Sequence, residues 1–347
     1  MTRALIETLA RKALRDMKDS PERSMRNFVD LGVHFTEGRF KEDLLVTLQE
    51  LLQNENSAYY KLVTDTIHHT ESENLLTFGM NVCYDSCTSG AETIRKIEAN
   101  EGFDIPWTLF VKINNEEYSL WKPIYEKTVA HGKKLGIHTY LLFSRNNHEQ
   151  LLPLISENKD CAFVVLCEPK TVTEKLLDDF VGCNNLMLSV AFSEKTDETA
   201  RACTLLRERK MLYSIHMMYN DDTAQCITED YPWCDTEAQH APLTITIPSI
   251  SCSETVRNAV YNTVYKVRKA QRYATVPWDG YTDNRFIDSV ISDCALMAGF
   301  DEQGYLHTVE GCKKDDTLNL LKAELKDILR RAFPKRHFGD VIKGELL

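Results

Sequence analysis

Apolar residues at helical spacing dominate the start of the chain. Pro21 suits the first turn of a helix, and Met25, Phe28 and Leu31 then recur every third residue. The polar stretch HTESEN ends this pattern at residue 74. Because an amphipathic helix buries one apolar stripe, the pattern predicts an all-helical N-terminal region over residues 1–74.

From residue 75 the pattern changes to short apolar runs separated by amphipathic stretches. Runs that are apolar on both faces and joined by crossover helices are typical of a parallel sheet covered by helices. An open doubly wound sheet would give the same pattern, but no glycine-rich phosphate turn follows the first run. We therefore predict an α/β fold with a partial (β/α)6-type barrel over residues 75–250. The predicted strands, the last of them a possible seventh, are Leu75–Val82, Trp107–Ile113, Ile137–Phe143, Ala162–Cys167, Leu186–Phe192, Leu212–Met218 and Pro242–Ser249.

The remaining residues, 251–347, predict a small α+β C-terminal extension. Ser253 is a suitable N-cap for an amphipathic helix. The segment around Asp301–Gly304 has the pattern of a β-hairpin, and a closing amphipathic helix ends before Pro334.

Composition narrows the possible partners and the compartment. A net charge of −11 and a pI near 5.5 argue against binding to nucleic acid or to an anionic membrane surface, both of which need a basic face. The longest apolar runs are far too short to span a bilayer, and the mixed-charge N-terminus does not resemble a signal peptide. Eleven cysteines without a disulfide rhythm indicate a reducing compartment, so we expect a cytoplasmic protein.

The stretch NVCYDSCTSG holds two cysteines, Cys83 and Cys87, directly after the first predicted strand. In a (β/α) barrel the loops at the carboxyl ends of the strands carry the chemistry. Two thiolates on one such loop can bind a soft metal or an iron–sulfur cluster. A structural role for both cysteines, or a redox role, is also compatible with the spacing.

This layout resembles the radical S-adenosylmethionine superfamily, whose members carry a Cys-x3-Cys-x2-Cys loop after the first strand of a partial barrel. The resemblance covers roughly residues 75–330 and implies an iron–sulfur cluster and S-adenosylmethionine as cofactors. It places Cys83 and Cys87 as cluster ligands, with Cys167 as a possible third, because Gly90 stands where the third cysteine is expected. The resemblance therefore implies a divergent or degenerate member.

Further residues take their predicted roles from the same resemblance. In the superfamily a glycine–glycine–glutamate–proline turn contacts S-adenosylmethionine, and its place is taken here by Asn114, Asn115 and Glu116. His216 lies in the predicted sixth strand, and we expect it to line the same pocket at the carboxyl ends of the strands. The C-terminal segment resembles a degenerate auxiliary-cluster extension. Its matching positions are Cys294, Gly304 and Cys312.

Several functions are compatible with these residues. The first is an enzyme of radical S-adenosylmethionine type acting on a peptide or small molecule. The second is a non-catalytic barrel-fold binding protein that has lost the cluster. The third is a metal-independent barrel enzyme that would use acid–base groups at the strand ends. Separately, the predicted loop Tyr231–His240 could hold a zinc ion. The acid–base candidates are Glu116, Glu168, Glu194 and His216.

Overall fold

The computed structural model describes residues 2–35, 45–192, 196–228, 231–292 and 294–335. The described residues up to 101 are mostly helical, and the predicted all-helical N-terminal region is confirmed. The helices are α1 (Arg3–Asp19), α2 (Pro21–Phe35), α3 (Val46–Leu51), α4 (Ala58–His69), α5 (Ser72–Met80), a π-helix (Asn81–Gly90) and α6 (Ala91–Glu101).

A curled ten-stranded sheet forms the centre of the described structure. Seven strands run parallel and lie side by side in chain order, which excludes the doubly wound alternative because that order never reverses. The predicted α/β half-barrel is therefore confirmed. These strands are β1 (Thr108–Lys112), β2 (Thr139–Phe143), β3 (Ala162–Cys167), β4 (Leu186–Ala191), β5 (Tyr213–Tyr219), β6 (Leu243–Pro248) and β7 (Val276–Asp279).

Helices follow these parallel strands along the chain and cover the outer face of the sheet. Each crossover returns the chain to the amino end of the next strand, so the strands can pair in parallel. The helices are α7 (Tyr118–Leu135), α8 (Leu152–Glu157), α9 (Glu174–Asp179), α10 (Thr196–Glu208), α11 (Gln225–Thr228), α12 (Tyr231–Ala238), α13 (Glu254–Ala270) and α14 (Thr282–Ile291).

The prediction of a strand at Leu75–Val82 is wrong, since these residues belong to α5 and the π-helix. The run is apolar on more than one side because α5 is buried between two layers. Phe78 packs against the inner face of the sheet, whereas Leu76 and Met80 pack against α1. A short helix covered on both sides has the same apolar pattern as a buried strand.

Alternate residues of each parallel strand face either the helices or the concave inner side. Tyr140, Phe163 and Leu188 belong to the large core between sheet and helices, whereas Leu141 and Val164 belong to a smaller apolar cluster on the inner face. Side chains that are paired across parallel strands share a face. The inner face can therefore be followed row by row across the sheet.

The stretch 72–90, α5 and the π-helix together, crosses the amino ends of the strands, and we call it the amino-end segment. Asn74 donates through Nδ2 to the carbonyl oxygens of Asn184 and Leu186, at 2.9 and 3.0 Å, and accepts from the amide of Leu212 at 2.8 Å. Further along, the Ser86 hydroxyl lies 2.8 Å from that of Thr139. The segment thus closes the end of the half-barrel opposite to the carboxyl ends of the strands.

The C-terminal extension adds three short strands to the sheet, beside β1. β8 (Gly299–Phe300) pairs in parallel with β1, and β9 (Leu306–Thr308) and β10 (Gly311–Cys312) continue the sheet in antiparallel pairing. The hairpin predicted around Asp301–Gly304 is present between β8 and β9. The predicted closing helix is shorter, α15 (Leu325–Ala332).

No described helix combines the length and the apolar character that crossing a bilayer would require. The predicted boundaries 1–74, 75–250 and 251–347 stay predictions, as does the cytoplasmic location.

Candidate functional site

The loop after β1 carries three of the predicted site residues at the carboxyl end of the strands. The Asn114 side chain donates to the carbonyl oxygen of Glu302 at 3.2 Å and accepts from the amide of Glu117 at 3.0 Å. Asn115 donates to the Ser144 hydroxyl at 3.0 Å and to the carbonyl oxygen of residue 146 at 2.8 Å. The two asparagines therefore tie this loop to the next loop and to the C-terminal hairpin.

This arrangement does not fit the turn implied by the resemblance. A close backbone approach to S-adenosylmethionine favours glycine, whereas here both side-chain amides are engaged with neighbouring loops. Glu116 is exposed beside them. The roles predicted for Asn114, Asn115 and Glu116 in cofactor binding stay predictions, and the two asparagine side chains hold neighbouring loops together.

His216 lies in a strand, as predicted; this strand is β5, because Leu75–Val82 is not a strand, and the side chain is on the inner face. Its Nδ1 is 3.2 Å from the Ser189 hydroxyl on β4, and the ring is almost fully buried. Burial lowers the pKa of His216 to about 4, so the imidazole is neutral at pH 7. Beside this pair, the buried Ser214 hydroxyl has no hydrogen-bond partner within the described residues. An apolar wall thus contains a small group of neutral polar atoms.

Side chains that are paired across neighbouring strands form two rows around His216, and we call this area the inner carboxyl-end surface. The register pairs Leu166 with Ser189, and Ser189 with Ser214; it also pairs His216 with Ile245, and Ile245 with Trp278. The surface combines apolar and aromatic groups with one cation and one anion at its rim. Its partly or well exposed members are Lys112, Phe143, Glu168, Met218 and Trp278.

Met218 is the most exposed of the large apolar side chains on this surface, at 59%. It follows His216 on the same face of β5. An exposed apolar side chain at the carboxyl end of a parallel strand, above buried polar groups, has the features of a ligand-contacting position. Sequence analysis missed Met218, although its place two residues after His216 on a strand was a usable signal.

Cys83 and Cys87 lie elsewhere, in the π-helix of the amino-end segment. The expectation that they line one pocket together with Glu116 is wrong. The amino-end segment lies at the amino ends of the strands, whereas Glu116 follows the carboxyl end of β1. Cys87 is buried in the main core, and burial raises the pKa of its thiol. Cys83 is exposed.

Cys167 is not close to either of these cysteines. It stands at the carboxyl end of β3 and faces the core between sheet and helices, where its thiol donates to the Ser189 carbonyl oxygen at 3.4 Å. Burial raises the pKa of Cys167 to about 12, which favours the protonated thiol over a thiolate ligand. The predicted convergence of the three cysteines is therefore not found.

The residues present do not fit the iron–sulfur cluster that the resemblance implies. At the third ligand position, a Cβ on Gly90 would lie 2.4 Å from the carbonyl oxygen of Gly136 and 2.5 Å from that of Asp85. These are backbone atoms, so no side chain can be added there without moving the main chain. Only two thiols remain, and they lie on a helix where the superfamily has a loop after a strand.

The other candidate sites are separated as well. The predicted loop Tyr231–His240 is mostly helical, since it contains α12 (Tyr231–Ala238). Its Cys234 is exposed, whereas His240 faces Asp65 at 3.6 Å and Glu237 accepts from the amide of Ala274 at 3.1 Å. Glu194 lies outside the described residues. Glu168 is exposed at the rim of the inner carboxyl-end surface.

One group of three metal-binding side chains does come together in the described chain, and it lies in the C-terminal hairpin. Donor atoms of Asp301, His307 and Cys312 lie within 4.8 Å of one another. Cys294, the other cysteine of the predicted auxiliary-cluster pattern, lies apart from them, next to Asp104 and Lys335. The pattern Cys294, Gly304, Cys312 therefore does not form a cysteine cluster.

Comparison with known proteins gave matches to solved structures only. No family model and no curated protein matches the chain. Streptococcus suis SuiB bound to S-adenosylmethionine aligns with a TM-score of 0.48 and 9% identity, over 72% of this chain and 69% of that chain. SuiB bound to its precursor peptide SuiA gives 0.48 and 8%, over 72% and 70%, and SuiB alone gives 0.44 and 9%, over 80% and 72%.

SuiB is a radical S-adenosylmethionine enzyme, a member of the superfamily that the sequence resembles. At these TM-scores and identities the likeness carries no argument, and the function of this chain has to be argued from its own residues.

Proposed function

We propose that this chain is a non-catalytic half-barrel binding protein, which holds a peptide on its inner carboxyl-end surface and carries no iron–sulfur cluster. The observation that carries the proposal is the contact of Gly90 with Gly136. A Cβ on Gly90 would lie 2.4 Å from a backbone oxygen, so the third cluster ligand has no space. The helical amino-end segment also replaces the strand and loop that would present the other two ligands.

The titratable groups support binding over covalent catalysis. For every described cysteine with a resolved shift, including Cys87, Cys167 and Cys203, the pKa is raised, with burial as the largest cause. A nucleophilic cysteine needs the opposite change. His216 is hydrogen-bonded to Ser189, but the serine is fully buried and out of reach of a substrate.

The shape and chemistry of the inner carboxyl-end surface support a peptide as ligand. Phe143, Met218 and Trp278 offer apolar and aromatic contact area along a concave wall. Lys112 and Glu168 add one charge of each sign at the rim, on β1 and directly after β3. A peptide brings apolar side chains, termini and charges of both signs, which matches this combination better than a uniformly charged or uniformly apolar ligand.

Metal analysis tests the first half of the proposal. Anaerobically purified and reconstituted wild-type protein is compared with the double variant Cys83→Ala, Cys87→Ala by iron and sulfide analysis and electron paramagnetic resonance. We expect no stoichiometric iron in either protein. A cluster of about four irons per wild-type chain that is lost in the double variant would overturn the proposal and restore the enzyme hypothesis.

Peptide selection tests the second half. A library of random peptides displayed on phage is panned against the wild-type protein, and enriched peptides are measured by fluorescence anisotropy against wild type, Met218→Glu and Leu120→Glu. Leu120 is also exposed, at 71%, but it lies on α7, so its replacement is a matched control. Binding that is weakened at least tenfold, about 1.4 kcal/mol, by Met218→Glu and unchanged by Leu120→Glu is expected. Equal loss in both variants, or no enrichment at all, would contradict it.

A further inference from the structure

The C-terminal hairpin brings an oxygen, a nitrogen and a sulfur donor to one point. The Nε2 atom of His307 lies 3.1 Å from Oδ2 of Asp301, and Sγ of Cys312 lies 3.8 Å from the same oxygen. All three side chains are partly buried. Phe110 pairs with Gly299, Gly299 with His307 and His307 with Cys312, so this group lies on the inner face of the sheet, at the edge formed by β8 to β10.

The strand register fixes two of the donors. His307 on β9 is directly paired with Cys312 on β10 in the antiparallel ladder. Directly paired residues project their side chains to the same face, with Cβ atoms about 5 Å apart. The ladder extends past this pair, since the amide of Lys313 donates to the carbonyl oxygen of Leu306 at 2.8 Å. The imidazole and the thiol are thus held side by side.

The turn fixes the third donor. The Oδ1 atom of Asp301 accepts from the amides of Gln303 and Tyr305, at 3.0 and 2.8 Å, as in an Asx turn. Gly304 completes the turn with a φ of +83°, a conformation that glycine adopts without strain. Because Oδ1 is engaged by the turn, Oδ2 is directed at His307 and Cys312. The carboxylate is oriented before any ligand arrives.

We infer that Asp301, His307 and Cys312 form a binding site for a single zinc-like divalent transition-metal ion that clamps the hairpin. Zinc accepts carboxylate, imidazole and thiolate together, at bond lengths of about 2.0 to 2.3 Å. A tetrahedral ion with these bonds separates its ligand atoms by about 3.3 to 3.6 Å. The observed 3.1 and 3.8 Å differ from that range by only a few tenths of an ångström.

The donor set also selects the kind of ion. Thiolate and imidazole ligands disfavour magnesium and calcium, which take oxygen ligands, and favour zinc and its neighbours in the first transition row. Three protein ligands leave a fourth tetrahedral position for water or another donor. The expected consequence is mechanical: the ion would join the turn that follows β8 to the β9–β10 pair at the edge of the sheet.

Cobalt titration tests the site directly. Chelator-treated wild-type protein is titrated with Co²⁺ in a thiol-free reductant, and the thiolate-to-cobalt charge-transfer band and the visible d–d bands are recorded. We expect saturation at one equivalent, displacement by Zn²⁺, loss of the charge-transfer band in Cys312→Ser, and weakened d–d bands in His307→Asn.

The chain contains its own controls. Cys294→Ser removes an exposed cysteine away from the hairpin, and the double variant Cys83→Ala, Cys87→Ala removes the other candidate pair. Both should keep the full cobalt spectrum. Far-ultraviolet circular dichroism of each variant checks folding, and a rise in Tm with Zn²⁺ should occur in wild type and in Cys294→Ser but disappear in His307→Asn. A spectrum unchanged in Cys312→Ser, or no band in wild type, would overturn the inference and leave the proposed peptide binding untouched.

Discussion

Gly90 and Gly136 are in reciprocal backbone contact: a Cβ on Gly90 would lie 2.4 Å from the carbonyl oxygen of Gly136, and one on Gly136 would lie 2.5 Å from that of Gly90. Gly136 also has a φ of +95° and ends α7. The contact brings the end of the π-helix directly against the turn that leads into β2. The position that would carry a third cysteine in the superfamily is therefore a close-packing point in this chain.

Substitution at this contact should be destabilising whatever the new side chain. We expect Gly90→Ala and Gly90→Cys each to lower the free energy of unfolding by about 1–3 kcal/mol, because backbone atoms must move to admit a Cβ. Gly79→Ala, in the last turn of α5, meets no atom within 4 Å and should be neutral or stabilising by up to about 1 kcal/mol. Urea unfolding of the three variants checks this. A stable Gly90→Cys protein that binds iron would contradict both the packing argument and the proposed function.

Asn74 is the side chain that attaches the amino-end segment to β4 and β5. Replacing it with alanine removes the partners of two carbonyl oxygens and of the Leu212 amide; the bonds to Leu186 and Leu212 are buried, and the bond to Asn184 is partly buried. Because unpaired buried polar groups cost about 1–3 kcal/mol each, we expect Asn74→Ala to destabilise the protein by roughly 2–4 kcal/mol. Asn100→Ala, at an exposed site on α6, should be neutral or stabilising by up to about 0.7 kcal/mol, because alanine is the better helix former.

Hydrogen exchange gives this prediction a local measurement. In Asn74→Ala, the amide of Leu212 should lose protection before the amides of the central strand β3 do. If Leu212 exchanges at the wild-type rate while global stability falls, the hydrogen bond to Asn74 is not what holds the segment in place.

Strands β1 to β6 were predictable from sequence because each is a short apolar run between amphipathic crossovers. β7 was missed, since Val276–Asp279 is only four residues long and includes Pro277 and Asp279. Its place in the sheet depends on contacts that no local pattern records. Asp279, for example, accepts from the Thr246 hydroxyl on β6 at 2.8 Å.

The candidate site was predictable in part. His216 and the loop after β1 were placed at the carboxyl ends of strands, as expected from the parallel layout. The predicted strand at Leu75–Val82 places Cys83 and Cys87 at the carboxyl end of the sheet, whereas α5 and the π-helix place them at the amino end. The Asp301, His307 and Cys312 group depends on the register of two very short strands, which the sequence does not specify.

Asp65 and Arg207 join the N-terminal region to the half-barrel through a bidentate pair, with both contacts at 2.6 Å. Burial alone would raise the pKa of Asp65, but hydrogen bonds and charge from Arg207 lower it overall. The stabilisation is therefore complete above the unfolded pKa of Asp65, near 3.8, and is lost as the pH falls through the lower folded value.

We expect Asp65→Asn to lower the free energy of unfolding by about 1–2 kcal/mol at pH 7. The variant should also show a smaller fall in that free energy at acid pH than the wild type. The exposed pair of Lys122 and Glu126, 3.7 Å apart on α7, is a suitable control, and Glu126→Gln should cost under about 0.5 kcal/mol. Urea unfolding between neutral and acid pH measures both. An acid limb that is unchanged in Asp65→Asn would show that this pair does not carry the effect.

His216 and His148 offer a matched comparison, since burial lowers the pKa of each to about 4. The unfolded value is near 6.5, so the unfolded chain binds protons first as the pH falls, and the free energy of unfolding should drop between about pH 6.5 and pH 4. Each histidine would contribute up to roughly 3 kcal/mol to that drop. Both His216→Gln and His148→Gln should therefore flatten the profile in this window.

Peptide binding should separate the two variants. His216 lies on the inner carboxyl-end surface, whereas His148 is buried beside the Thr171 hydroxyl, 2.8 Å away, in the loop region after β2. For a peptide selected on wild-type protein, we expect His216→Gln to weaken binding about tenfold and His148→Gln to leave it unchanged at pH 7. Equal affinities for both variants would remove His216 from the ligand site, even if the two stability profiles change as predicted.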